Sequence, residues 1–147
     1  MAKEIERKFL VINDNYHALA VCNSLIEQGY LNRDPDATVR IRIRDEHAFI
    51  TIKSRNTGVV RDEWEYPIPA EDARDILRRC AKGNILEKCR YIVPYAGHNW
   101  EVDEFKGSRE GLVVAEVELS SADEYIELPP FVGEEVTDDT RYYNSNL

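Results

Sequence analysis

The chain has 147 residues, 43% of them hydrophobic, and a net charge of −9 from 28 acidic against 19 basic residues. That length suits one domain over 1–147, with a core large enough to need no disulfide or metal staple. The acidic balance excludes nucleic acid and membrane surfaces as general partners, since both call for net positive charge.

In chain order, the pattern is mostly period two. Lys3–Val11 alternates charged and apolar residues, which predicts a strand and not a secretion signal. Asn13–Glu27 opens with capping residues and carries Tyr16, Leu19, Cys22 and Leu25 or Ile26 at helical spacing, so a helix is expected there. Gln28–Asn32 reads as a short strand, followed by alternating runs at Thr38–Arg44, Ala48–Lys53 and Arg61–Ile68. Ala70–Ala81 follows a proline and sets Ala73, Ile76, Leu77 and Cys80 on one helical face, ended by Lys82-Gly83-Asn84. Strands return at Leu86–Ile92, Trp100–Phe105 and Val113–Leu119. Ser121–Glu127 is expected as a short helix before Pro129-Pro130, and the tail Glu134–Leu147 as a helical turn or two. Short turn signals at Asp45-Glu46-His47, Asn56-Thr57-Gly58 and Ala96-Gly97-His98-Asn99 join neighbouring runs as antiparallel hairpins. The fold class is mainly β, an antiparallel domain with a few covering helices.

Other classes fall away. The longest apolar runs, such as Ala18–Cys22 and Leu112–Ala115, are far short of a membrane span. Cys22, Cys80 and Cys89 form no CxxC pair, and His17, His47 and His98 have no ligand spacing. The expected location is therefore the reducing cytoplasm.

The chemistry lies in what alternates with what. Side chains two apart on a strand share a face. Glu4, Glu6 and Lys8 share one face of the first strand, with Ile5, Arg7 and Phe9 on the other. Arg40, Arg42 and Arg44 oppose Val39, Ile41 and Ile43, while Thr51 and Lys53 oppose Ile50 and Ile52. Arg61, Glu63 and Glu65 oppose Trp64 and Tyr66; Lys88 and Arg90 oppose Cys89 and Tyr91. Glu101 and Asp103 oppose Trp100 and Val102, and Glu116 and Glu118 oppose Val117 and Leu119. A solvated face of a one-sided sheet is the ordinary explanation. This face, however, is nearly pure charge, and its signs are blocked by strand, which repels unless something between the side chains supplies the missing charge. Paired carboxylates suit a hard divalent cation, and Arg and Lys clusters suit phosphate oxygens. Closing the sheet into a barrel would turn these charges inward around a wide, wet cavity.

Glu4-x-Glu6-x-Lys8 resembles the ExExK signature of the CYTH domain, the triphosphate tunnel metalloenzyme family. Further segments resemble that family in order: Gln28-Gly29-Tyr30-Leu31, Val39-Arg40-Ile41-Arg42, Thr51-Ile52-Lys53 and Arg61-x-Glu63-x-Glu65. They continue with Glu87-Lys88-x-Arg90-Tyr91, Trp100-x-x-Asp103-x-Phe105, Ala115-Glu116-Val117-Glu118 and Gly133-Glu134-Glu135-Val136-Thr137…Arg141-Tyr142.

The resemblance implies an eight-stranded antiparallel β-barrel, a tunnel with charged walls that takes triphosphates with Mg²⁺ or Mn²⁺. It implies Glu4, Glu6, Asp103, Glu116 and Glu118 as metal carboxylates and Lys8, Arg40, Arg42, Lys53, Lys88 and Arg90 as the phosphate-binding set. By the same resemblance Glu63 and Glu65 match further tunnel acids, which with Lys8 and Tyr30 make up the catalytic candidates. Arg44, Arg61 and Glu101 fall on the same face, where a solvated place at a tunnel mouth is equally open. The chain resembles the short bacterial-type members, so hydrolysis of inorganic triphosphate to pyrophosphate and phosphate is expected. The alternatives are a class IV-type adenylate cyclase, a thiamine or nucleoside triphosphatase, a non-catalytic polyphosphate- or nucleotide-binding module, or a plain acidic interaction domain. The expected partner is a small-molecule triphosphate, and a homodimer is left open.

Overall fold

The structure is a computed structural model and describes residues 2–81 and 85–147. Nine strands run in chain order: β1 (Ala2–Val11), β2 (Cys22–Asn32), β3 (Ala37–Arg44), β4 (His47–Ser54), β5 (Val60–Ile68), β6 (Ile85–Tyr95), β7 (His98–Phe105), β8 (Val113–Glu118) and β9 (Val132–Glu135). Helix α1 (Tyr16–Leu19) lies between β1 and β2, and α2 (Ala70–Cys80) between β5 and β6. The sheet order is β5-β4-β3-β2-β6-β7-β8-β1, and β1 also pairs with β5, which closes an eight-stranded antiparallel barrel. β9 lies outside that ring and pairs with β1 over Phe9–Val11.

Tight turns fix the register of two hairpins. Between β6 and β7, Ala96 and Gly97 both have positive φ (49° and 84°), the backbone of a type I′ turn that matches strand twist. Between β3 and β4, Asp45 takes the left-handed conformation with φ 56°.

The apolar strand faces look outward, where two layers cover them. Trp100, Val102, Val117 and Phe9 pack beneath Tyr16 of α1 and beneath Leu119, Ile126 and Phe131. Ile41, Ile43 and Ala48 pack beneath Ala73 and Leu77 of α2. The fully buried Leu77 contributes roughly 1.5–3 kcal/mol by that transfer alone. Glu71 and Asp72 in the first turn of α2 and Arg78 and Arg79 in the last suit the helix dipole.

Two expected helices differ from the chain. Of Asn13–Glu27, one turn is helical at Tyr16–Leu19; Ala20 is extended, and β2 starts at Cys22. Tyr16 reaches the core from that single turn. From Cys22 onward, pairing with β6 on one edge and β3 on the other outweighs the helical spacing. Ser121–Glu127 forms no helix; a turn from Ser121 to Glu124 carries Ile126 over the core in irregular chain. The tail holds β9 and two 3₁₀ turns, Thr140–Tyr142 and Asn144–Asn146. The Lys82-Gly83-Asn84 stop lies outside the described residues.

Candidate active site

Barrel closure brings the charged strand faces together across one interior. Two cavities occupy it. The larger, about 230 Å³, is lined by Glu4, Glu6, Arg40, Arg42, Arg90 and Glu116, among other charged side chains. The smaller, about 60 Å³, shares Glu4, Glu6, Arg40 and Lys53 with it and adds Lys8 and Tyr30. Glu63, Glu65 and Glu118 line the larger cavity, so most of the expected set converges.

The ion pairs cross the interior. Lys53 Nζ donates to both Glu4 oxygens, at 2.9 and 2.8 Å, and lies 3.5 Å from Glu63. Lys8 Nζ lies 3.6 Å from Glu116 and donates to the Tyr142 carbonyl at 2.8 Å. Arg40 lies 3.7 Å from Glu65, and Thr51 links them by donating to Glu65 at 2.8 Å and accepting from Arg40 at 3.3 Å. Arg90 forks onto both oxygens of Asp103 at 2.8 and 2.9 Å and reaches Glu101 at 3.0 Å.

Asp103 and Lys88 stand apart from the rest. Both side chains are fully buried, 2.8 Å from each other, and neither is in the lining of these two cavities. Asp103 spends its oxygens on Arg90 and Lys88. Lys88 also packs over the Phe105 ring, beside an interior apolar cluster of Leu86, Phe105, Val114 and Leu147 that fills part of the barrel.

Their surroundings shift the acids in opposite directions. Burial raises Glu6 well above the usual carboxylate range, and the neighbouring Glu116 and Glu4 push the same way. Burial and a bond to Glu4 bring Glu63 to about 7. Burial would raise Glu116 too, but Lys8, Arg90 and Lys88 pull it down to about 2. Glu4 is lowered because Lys53 outweighs its burial, and Asp103 is lowered because Arg90 and Lys88 outweigh its own. Burial brings Lys88 down to about 7 despite the opposing charge of Asp103.

These carboxylates suit a divalent cation by chemistry: hard oxygen donors, crowded enough that Glu6 resists ionising, with Glu116 Oε1 buried and without a hydrogen bond among the described residues. Among the described residues, no three His, Cys, Asp or Glu side chains are already gathered as a metal cage. Lys53 pairs with Glu4 and Lys8 with Glu116 among these acids.

Arg44 and Glu101 line the larger cavity and Arg61 the smaller, with Arg44 exposed and the other two half-buried. Sequence reasoning missed Thr51 as a link and Gln28 as the partner of Arg42. It also missed the tail, whose Tyr143, Asn144 and Ser145 reach the smaller cavity. A polar side chain in phase with Tyr30 was the available sign for Gln28; nothing in the tail's own pattern marks it as turning inward.

A family model for the CYTH domain matches residues 2–145. The inorganic triphosphatase of Acetivibrio thermocellus is 45% identical over 147 residues, spanning 100% of this chain and 94% of that protein. The inorganic triphosphatase of Nitrosomonas europaea is 36% identical over 151 residues, spanning 98% and 95%. A crystal structure of an inorganic triphosphatase superposes with a TM-score of 0.67 at 35% identity, covering 97% of this chain and 95% of the other.

Proposed function

The chain belongs to the CYTH domain family, and from that premise we propose that it hydrolyses inorganic triphosphate to pyrophosphate and phosphate inside its barrel. One observation carries the reading: cations suited to phosphate and acids suited to a divalent metal face each other around one cavity. The two inorganic triphosphatase relatives, aligned along nearly the whole chain, support it.

Arg40, Arg42 and Arg90 spread the negative charge of the phosphate chain, and Lys53 and Lys8 add point charges. Glu4, Glu6, Glu116 and Glu118 would hold Mg²⁺ or Mn²⁺. Such a cation neutralises reacting oxygens and acidifies a bound water. Asp103 we assign to orienting Arg90 and Lys88, since both its oxygens are taken, and Lys88 supports from behind.

In the reaction, a water oxygen attacks a terminal phosphorus, the anhydride bond breaks, and pyrophosphate leaves. Glu63 is the group we assign to accept the water's proton: it lines the cavity beside Lys53, and a pKa of about 7 suits a base at neutral pH. Glu65 fixes Thr51 and Arg40, and Tyr30 shares the smaller cavity with Lys8. The three cysteines are free, which fits a cytoplasmic location. Among the described residues, no helix is long and apolar enough to cross a membrane.

The test is phosphate release from tripolyphosphate with Mg²⁺ or Mn²⁺, with ATP as a parallel substrate and cyclic AMP as its readout. Glu4→Ala and Glu116→Ala should abolish release. Full activity in both variants, or cyclic AMP as the dominant product, overturns the reading.

A further inference from the structure

Among the phosphate-binding candidates that line the two cavities, Arg42 differs in what holds it. Arg40, Lys53, Lys8 and Arg90 each have a carboxylate partner. The Arg42 guanidinium instead donates from Nε at 3.0 Å and from Nη2 at 2.9 Å to one atom, the amide oxygen of Gln28. Gln28 and Arg42 are cross-strand partners on β2 and β3, so backbone pairing sets the approach. Gln28 is fully buried and lies outside the lining of the larger cavity, whereas Arg42 is part of it. On its other edge Gln28 pairs with Leu86 of the interior apolar cluster.

A fully buried polar side chain in such a place is costly unless its hydrogen bonds are made. Gln28 makes two through its oxygen, while its amide nitrogen has no hydrogen-bond partner among the described residues. A leucine or methionine would fill the same space at lower cost. A glutamate would hold the guanidinium more strongly and cancel its charge. A neutral acceptor fixes the orientation of the fork and leaves its full positive charge available to the cavity.

We propose that Gln28 is a positioning residue for substrate binding, which aims the Arg42 guanidinium at the triphosphate without neutralising it. The inference rests on the reading of Arg42 as a phosphate contact and names what makes that contact effective. Its predicted signature is a substrate-binding defect from a residue that touches no substrate.

Steady-state hydrolysis of tripolyphosphate in Gln28→Glu, Gln28→Met, Arg42→Ala and the double variant Gln28→Glu/Arg42→Ala tests it, with thermal melts run on each. Gln28→Glu keeps shape and adds charge, so KM should rise roughly tenfold or more while kcat stays within about threefold. Gln28→Met should raise KM less, through lost orientation. With Arg42 already removed, Gln28→Glu should add little, because the two act as one unit. If Arg42→Ala raises KM while Gln28→Glu and Gln28→Met match the wild type, the positioning role is wrong and the phosphate reading stands. If Arg42→Ala itself leaves KM unchanged, the phosphate reading of Arg42 fails. Should Gln28→Glu not fold, a wild-type KM in Gln28→Met overturns the inference.

Discussion

Lys53 on β4 reaches past β5 to donate two hydrogen bonds to Glu4 on β1, at 2.9 and 2.8 Å, across the seam that closes the barrel. The cation proposed for phosphate and the acid proposed for a metal thus satisfy each other. Substrate carrying a divalent cation would exchange these partners, phosphate taking Lys53 and the cation taking Glu4. Lys53→Ala should therefore raise KM for tripolyphosphate roughly tenfold or more, whereas Glu4→Gln should cut kcat by about a hundredfold or more. Kinetics over a range of metal concentrations separate the two effects. A wild-type KM in Lys53→Ala would remove this residue from the binding set.

Thr51 gives a prediction about support. It is 1% exposed and joins Arg40 to Glu65 through one hydroxyl. Thr51→Val keeps the shape and strips both bonds, leaving the Arg40 fork with less to hold it. Stability should fall by about 1–2 kcal/mol and kcat/KM several-fold, read by denaturant unfolding and tripolyphosphate hydrolysis. Unchanged values in both would make the hydroxyl a bystander.

Alternation alone exposed much of this barrel, and the reason is physical. Closure makes one face of every strand interior, so period two holds for Glu4-Glu6-Lys8 as for Arg40-Arg42. The same rule was hidden in β2. There Ile26, Gln28 and Tyr30 turn inward, but Tyr16, Leu19 and Cys22 preceding them imitate a helix. Which acids meet which cations was not legible at all. Asp103 and Glu101 are alike in a one-strand reading, yet cross-strand pairing puts Asp103 opposite Arg90 and inside the wall, while Glu101 sits opposite Glu116 at the cavity. Nor could local pattern show that Leu147 packs against Phe105 and its neighbours inside the barrel.

The crowded acids predict how stability varies with pH in metal-free protein. Glu63 is raised from 4.5 to about 7, and Glu6 and Glu118 are raised as well, in each case by burial first and neighbouring carboxylates next. Between those limits the unfolded chain binds fewer protons than the folded one, so stability falls as pH rises from 4.5 to 7. Glu116, lowered to about 2, has the opposite sign and adds stability as pH rises from about 2 to 4.5. After solvent screening, the loss in the upper window should be about 1–2 kcal/mol. Thermal melts in chelator should show Tm declining from about pH 5 to 7, above which Lys88, lowered to about 7, has the opposite sign, and Mg²⁺ should restore more at pH 7 than at pH 5. A Tm that is flat across this window, with or without Mg²⁺, would contradict both the crowding and the metal assignment.

Asp103→Asn separates an anchor from a metal ligand. Asp103 sits fully buried between the Arg90 fork and Lys88 Nζ, 2.8 Å away. The asparagine keeps the shape but leaves two cations without their shared counter-charge. Breaking a buried pair in this way costs about 3–5 kcal/mol. Lys88, already brought to about 7 by burial, escapes by giving up its proton, so the lower end of that range is expected. Arg90 keeps its bond to Glu101 but loses its fixed aim, so KM for tripolyphosphate should rise. The metal concentration giving half-maximal activity should not move, because the four proposed metal acids are untouched. A metal ligand would behave in the reverse way, with the metal requirement rising steeply and stability in chelator barely changed. Denaturant unfolding in chelator, alongside a metal titration of activity, reads both quantities on one variant. A large shift in metal requirement would return Asp103 to the metal set.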